Sequence, residues 1–335
     1  MGVAEDLQGV GQVEQRAALR YNTHVSRGER PTSRRDFLRE GLRSLVRAGF
    51  GGIFERLESV SELMEGREPK PLPLQPVLSC ETRSLHALIS TGQLPLESLP
   101  PLLHELDIRG VSMSDRHLPA LQPRLLEPLR ETLTRNGLVI TGLMVATPVD
   151  VHDEANLGRR LDECIERLQA AAWLGAPLIR LHLGGSGNER DDDTLYLERA
   201  ALFLQRLLPE ARKRQVRITL ENRDGIARRA ENLLTLVRSL DPRWLGICLD
   251  FGNWQPERLY DSCRLLAPYA MHVHAKSRAF DHRGEETQLE YGRLISYLRL
   301  ADYKGAISIE YMGEEDPVEG IRKTRDLIRR YWRAY

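Results

Sequence analysis

The sequence predicts an α/β chain of the (β/α)8, or TIM-barrel, class with an N-terminal helical extension, on three observations. From Gln75 onward, short β-rich runs alternate with longer amphipathic stretches, the pattern of βα units on a parallel sheet. Eight such units fit into residues 75–335, close to the roughly 250 residues usual for a closed barrel. No glycine-rich phosphate turn follows the first three strands, as a doubly wound open sheet would prefer. The run Gly184-Gly185-Ser186-Gly187 follows the fourth strand without dinucleotide spacing and is read as a mobile loop.

Residues 1–74 stand apart as a basic extension outside the barrel, rich in arginine and without strand pattern. Ser33-Arg34-Arg35-Asp36-Phe37-Leu38-Arg39 resembles a twin-arginine export motif. Export is nevertheless the minority reading, because Arg43, Arg47, Glu55 and Arg56 interrupt the apolar stretch that a signal peptide needs. Phe37, Leu38, Leu42, Leu45, Val46, Phe50, Ile53, Phe54 and Leu57 fall instead at helical spacing, which predicts an amphipathic helix or two. The Pro-rich run from Pro69 to Leu74 is read as a stiff linker.

The barrel strands are predicted at Val77–Cys80, Gly110–Met113, Val139–Val145, Leu178–Leu183, Arg217–Glu221, Gly246–Asp250, Met271–His274 and Ala306–Glu310. Helices are predicted at Arg159–Ala172, Thr194–Lys213, Glu231–Leu240, Tyr291–Leu300 and Val318–Tyr331. The acidic run Asp191-Asp192-Asp193 reads as the cap of the helix that starts at Thr194.

Strand side chains alternate with period two. In the last four strands one set is wholly apolar: Ile218 and Leu220, Ile247 and Leu249, Met271 and Val273, Ile307 and Ile309. That set suits contact with the helices. The other set faces the lumen, as Thr219, Cys248, His272 and Ser308 and, one step higher, Glu221, Asp250, His274 and Glu310. Barrel enzymes place their sites at these C-terminal strand ends. Three carboxylates brought together there repel unless something positive sits among them. A single divalent metal on Glu221, Asp250, His274 and Glu310 resolves the conflict, and the donor set suits Mn²⁺, Mg²⁺, Co²⁺ or Zn²⁺.

Composition narrows the function classes. Lys+Arg and Asp+Glu both number 48, so no global field draws the chain to nucleic acid or anionic lipid. No apolar run reaches the roughly 20 residues of a spanning helix, and a cytoplasmic location is expected. The four cysteines are scattered without a CxxC pair, which predicts reduced, mostly buried thiols. Self-association into a homo-oligomer is left open.

The segments RITLEN, GICLDFGN, MHVHAKS and GAISIEYMG, in that order, resemble the sugar phosphate isomerase/epimerase family of xylose isomerase-like TIM barrels, from about Leu74 to the C-terminus. The resemblance places the metal ligands on Glu221, Asp250, His274 and Glu310 and makes Glu221 and Glu310 the acid/base pair. It implies a metal-dependent isomerase or epimerase acting on a keto sugar, sugar phosphate or related polyhydroxy carbonyl compound through an enediolate. A dehydratase on the same substrates, a non-catalytic sugar-binding accessory barrel and an endonuclease IV-like phosphodiesterase are the alternatives. Asn253 stands where many members carry His, Arg278 is off the usual arginine spacing, and Arg283-Gly284-Glu285-Glu286 replaces a glycine-acid-glycine turn. These departures bear on the particular reaction and leave the four metal ligands in place.

Further substrate-binding candidates come from the lumen face and the strand-end loops. Arg180 and His182 lie on the inward face of the fourth strand, with a lumen salt bridge to Glu221 and a hydrogen-bonded core histidine as the plain alternatives. Lys276 follows His274 by two and is expected to point into the mouth, where a cation suits a phosphate or enediolate. Asn222, Asn253 and Trp254 open the loops after strands five and six, and His272 sits below the metal.

Overall fold

A computed structural model of the chain describes residues 68–69, 76–184 and 193–333. The twin-arginine-like motif, the apolar pattern of residues 37–57, residues 70–74 of the Pro-rich run, Gly185–Gly187 and Asp191–Asp192 lie outside the described residues.

Eight parallel strands close into a barrel in sequence order: β1 (Val77–Glu81), β2 (Gly110–Ser114), β3 (Val139–Met144), β4 (Leu178–Leu181), β5 (Arg217–Glu221), β6 (Leu245–Asp250), β7 (Ala270–Ser277) and β8 (Ala306–Tyr311). A helix follows each strand: α1 (Leu99–Glu105), α2 (Pro123–Arg135), α3 (Leu157–Leu174), α4 (Thr194–Arg214), α5 (Ala230–Ser239), α6 (Leu259–Leu266), α7 (Tyr291–Leu300) and α8 (Pro317–Arg333). The barrel closes where Ser79 of β1 pairs with Ser308 of β8. Closure removes the free sheet edges that an open parallel sheet would expose.

The helices are held by apolar stripes at helical spacing. Leu126, Leu129 and Leu133 of α2 are buried, as are Leu197, Ala200, Ala201, Leu204, Leu207, Leu208 and Ala211 of α4. Fully burying one such leucine contributes about 1.5–3 kcal/mol. Helix α3 stops at Gly175, whose φ of 75° is left-handed, so the chain turns there into β4 at little steric cost.

Most strand ends shift by one to three residues, and those of β1, β4 and β7 bear on the site, β7 running on to Ser277 and so taking in Lys276. β1 runs one residue past Cys80 to Glu81, which turns out to matter for the site. β4 ends at Leu181, so His182 and Leu183 belong to the following loop. The four cysteines are all buried and free, and among the described residues no helix is long and apolar enough to cross a membrane.

Candidate metal centre

The register explains how the site is layered. Glu221 pairs with Cys248, Asp250 with His274, His274 with Ser308, and Lys276 with Glu310. Glu221, Asp250, His274 and Glu310 therefore do not share one rung of the sheet. In a closed barrel the strands tilt by about 36°, and each layer of the lumen is filled from alternate strands. The odd strands contribute Glu81, Glu221 and His274, and the even strands contribute Asp250 and Glu310. The even spacing read along single strands hid this stagger.

His274 is the hub of the odd-strand layer and is fully buried. Its Nδ1 lies 2.9 Å from Glu221 Oε1 and 3.9 Å from Asp250 Oδ2. Its Nε2 lies 3.6 Å from Glu81 Oε2. Burial opposes charge on this ring, yet Cys248, Glu81 and Glu221 around it outweigh burial and hold its pKa well above the usual histidine range. His272, one step lower, is pushed well below that range by burial and by the charges of His274 and Arg180, so it packs as a neutral ring.

Lys276 organises the even-strand pair. Its Nζ lies 2.7 Å from Asp250 Oδ2 and 2.9 Å from Glu310 Oε2, and it donates to Asn253 Oδ1 at 2.7 Å. Gly252 makes room for that lysine, since a Cβ there would sit 2.6 Å from Lys276 Cδ. Asn222 fixes Asp250 from the other side. Its amide donates to the Asp250 carbonyl at 2.9 Å and accepts the Asp250 N–H at 2.7 Å, while Asn253 donates to the Asn222 carbonyl. Arg180 donates to the Val145 carbonyl at 2.8 Å and lies 3.7 Å from Glu221, which is the lumen salt bridge.

The charges leave room for a cation. Glu81, Glu221, Asp250 and Glu310 are all buried, against the two fixed cations Arg180 and Lys276. Burial outweighs the attraction of His274 and raises the pKa of Glu81. Burial also raises Asp250 to about 7, against the pull of Lys276. Glu221 is held well below the carboxylate range because Arg180, His274 and Lys276 outweigh burial. Glu81 Oε2, Glu221 Oε2 and His274 Nε2 are buried without a hydrogen-bond partner, and Glu310 Oε2 has only the ion pair to Lys276. Carboxylate oxygens orphaned around an imidazole are the donor set a divalent ion takes, so these residues fit a metal. Two close groups of such donors are present: Glu221, Cys248 and His274, and Glu81, His274 and Glu310.

Other sequence candidates are placed as follows. His182 is hydrogen-bonded through Nε2 to Asp224, whose carboxylate is half exposed in the loop after β5. Trp254 is 9% exposed. With Gly252, Leu259, Tyr260, Lys276 and Leu289 it lines a cavity of about 140 Å³ between the loops after β6 and β7. Asp193 holds the position before α4, but its side chain does not cap that helix. The carboxylate turns instead to Arg228 at 3.0 Å, Arg229 at 3.4 Å and Asn232 at 2.7 Å, because three donors in a buried setting outcompete a single helix-end N–H. Glu81 was missed in the sequence because an acid at the end of a strand reads as a turn. Period two from Ser79 already put it on the lumen face.

A family model described as a xylose isomerase-like TIM barrel matches residues 100–331. The chain is 34% identical over 85 residues to the 3'-dehydrocarminate deglycosidase alpha subunit of a Microbacterium species, covering 24% of this chain and 23% of that protein. It is 31% identical over 86 residues to the C-glycoside deglycosidase alpha subunit of Arthrobacter globiformis, with the same two coverages of 24% and 23%. The chain thus spans less than a quarter of the length of these curated relatives. Among solved structures, the 3-keto-D-glucoside 4-epimerase of E. coli superposes with a TM-score of 0.61 at 16% identity, over 76% of this chain and 99% of that one. L-ribulose 3-epimerase gives a TM-score of 0.62 at 14% identity, over 78% and 95%. At such identities the likeness is one of fold.

Proposed function

We propose that this chain, which belongs to the xylose isomerase-like TIM barrel family, is a divalent-metal-dependent isomerase or epimerase that moves a proton beside the carbonyl of a keto sugar. The observation that carries this reading is the set of buried, unpartnered carboxylate oxygens gathered around His274. When bound, the ion supplies Lewis acidity toward a carbonyl and its neighbouring hydroxyl. Glu221, Asp250, His274 and Glu310 are the residues that would hold it.

The chain's own groups do the rest. Glu221 stays ionised beside Arg180 and His274 and serves as the proton acceptor. Glu310, on a strand not adjacent to Glu221, delivers a second proton from its carboxylic acid form on its own side of the lumen, and exchange with solvent removes the proton taken by Glu221 and restores that of Glu310. Lys276 places a buried positive charge beside Asp250 and Glu310, where it stabilises negative charge developing on an enediolate oxygen. The substrate class supported by the printed names of the relatives is a sugar oxidised at one carbon, since 3-keto-D-glucoside and 3'-dehydrocarminate share that feature.

A second reading is elimination, favoured by the deglycosidase relatives. The same first proton abstraction would then expel a group from the next carbon. His182, oriented by Asp224, is suited to protonate that leaving group. The test is deuterium incorporation from D2O into 3-keto-glucosides and ketohexoses, followed by product analysis. Exchange that requires metal and falls about 10²–10⁴-fold in Glu221→Gln and Glu310→Gln is expected. A released aglycone or lost water selects elimination. A complete lack of exchange and of elimination across the panel would sink both readings.

A further inference from the structure

We propose that Glu81 is a positioning residue for the metal centre: its carboxylate stands 3.6 Å from the Nε2 of His274, a gap that a small shift closes to a hydrogen bond from the Nε2–H, and it keeps the Nδ1 of that ring turned toward Glu221 and Asp250. The inference rests on the metal reading above and adds a residue from β1 to it.

Two buried orphans face each other across 3.6 Å, His274 Nε2 and Glu81 Oε2, and each is otherwise without a hydrogen-bond partner. On the opposite edge of the ring, Nδ1 faces Glu221 Oε1 and Asp250 Oδ2. The imidazole is therefore sided. One nitrogen looks toward Glu221 and Asp250, two of the carboxylates given the ligand role, and the other looks toward Glu81, which with Glu310 forms a second close group around the ring. A metal-bound histidine that donates its second N–H to a carboxylate has a fixed tautomer, a fixed orientation and a more basic ligand nitrogen. Glu81 meets that need from the layer that already holds Glu221 and His274.

The position of Glu81 excludes a casual role. It is 2% exposed, sits at the last residue of β1 and pairs in register with Ser112 of β2. A carboxylate buried this deeply is costly unless a positive or N–H group compensates it. The nearest such group is the His274 ring.

The test is Mn²⁺ binding by calorimetry on metal-stripped full-length protein, comparing wild type with Glu81→Gln, Glu81→Met and Asp250→Asn. Gln keeps an acceptor oxygen for the N–H, whereas Met fills similar space without one. The expected result is a 10–100-fold weaker Kd for Glu81→Met, recovery of most of that loss in Glu81→Gln, and a shifted visible spectrum of the Co²⁺-loaded Met variant. Equal and severe losses in the Gln and Met variants would identify Glu81 as a direct ligand and overturn the positioning role. Wild-type affinity and an unchanged Co²⁺ spectrum in Glu81→Met, with binding still lost in Asp250→Asn, would remove Glu81 alone. Should wild type itself take up no Mn²⁺, the metal reading falls and this one with it.

Discussion

At the level of single residues, the site depends on how its neighbours hold the backbone and side chains in place. Asn222 satisfies both the N–H and the C=O of Asp250, two buried backbone groups. Asn222→Ala leaves both unpaired and is expected to cost about 2–4 kcal/mol, read by urea denaturation of the metal-stripped protein. A loss under about 0.5 kcal/mol would mean that water replaces the clasp. Gly252 acts differently, by absence. Its φ is not left-handed, so alanine is tolerated by the backbone, but the added methyl would meet Lys276 Cδ at 2.6 Å. The lysine is flexible and yields. Gly252→Ala should therefore lower kcat/KM by about tenfold or more, through a displaced Lys276, with little change in Tm. A large fall in Tm with kcat/KM preserved would contradict that division.

Elements are tied together away from the mouth by ion pairs, and these contribute to stability against acid. Asp241, just before β6, receives Arg212 of α4 at 2.9 Å and Arg243 at 3.0 Å. Burial pushes its pKa up, but the bonds from Arg243 and the charge of Arg212 prevail and leave it below the ordinary carboxyl range. A depressed carboxyl stabilises the fold above its unfolded pKa, and that stability is lost as pH falls through the folded value. Asp241→Asn should thus destabilise by about 1–3 kcal/mol at pH 7, with the gap to wild type closing below roughly pH 4. A gap independent of pH would show that packing, not charge, fastens α4. The same elements mark what could be read in advance. All eight strands were legible because each is a buried β-rich run, and β5 and α7 matched to the residue. Helices α1, α2 and α6 are the less legible of the eight. Pro100 and Pro101 in α1, and Pro123 and Pro128 in α2, punctuate the pattern as loops do, and α6 has only 8 residues. The ligand-type residues of β5 to β8 were legible from alternation within each strand. Their stagger was not, because shear belongs to the closed barrel and to no strand alone.

For the whole molecule, the cluster at the mouth sets stability against function. Four buried carboxylates facing two fixed cations destabilise the metal-free barrel through mutual repulsion and desolvation. A bound ion returns that energy by mass action, about 2.7 kcal/mol at a hundredfold excess over Kd. For a domain of this size each kcal/mol shifts Tm by about 2–4 °C, so saturating Mn²⁺ should raise the wild-type Tm by about 5–10 °C and chelator should reverse it. Asp250→Asn separates the two contributions. It removes one of the repelling charges while leaving Lys276 paired with Glu310, so its metal-free form should melt at or above metal-free wild type. It should then fail to respond to Mn²⁺. A wild-type Tm indifferent to both metal and chelator would mean that Lys276 and a protonated His274 already neutralise the site, and that the carboxylates serve the fold without an ion.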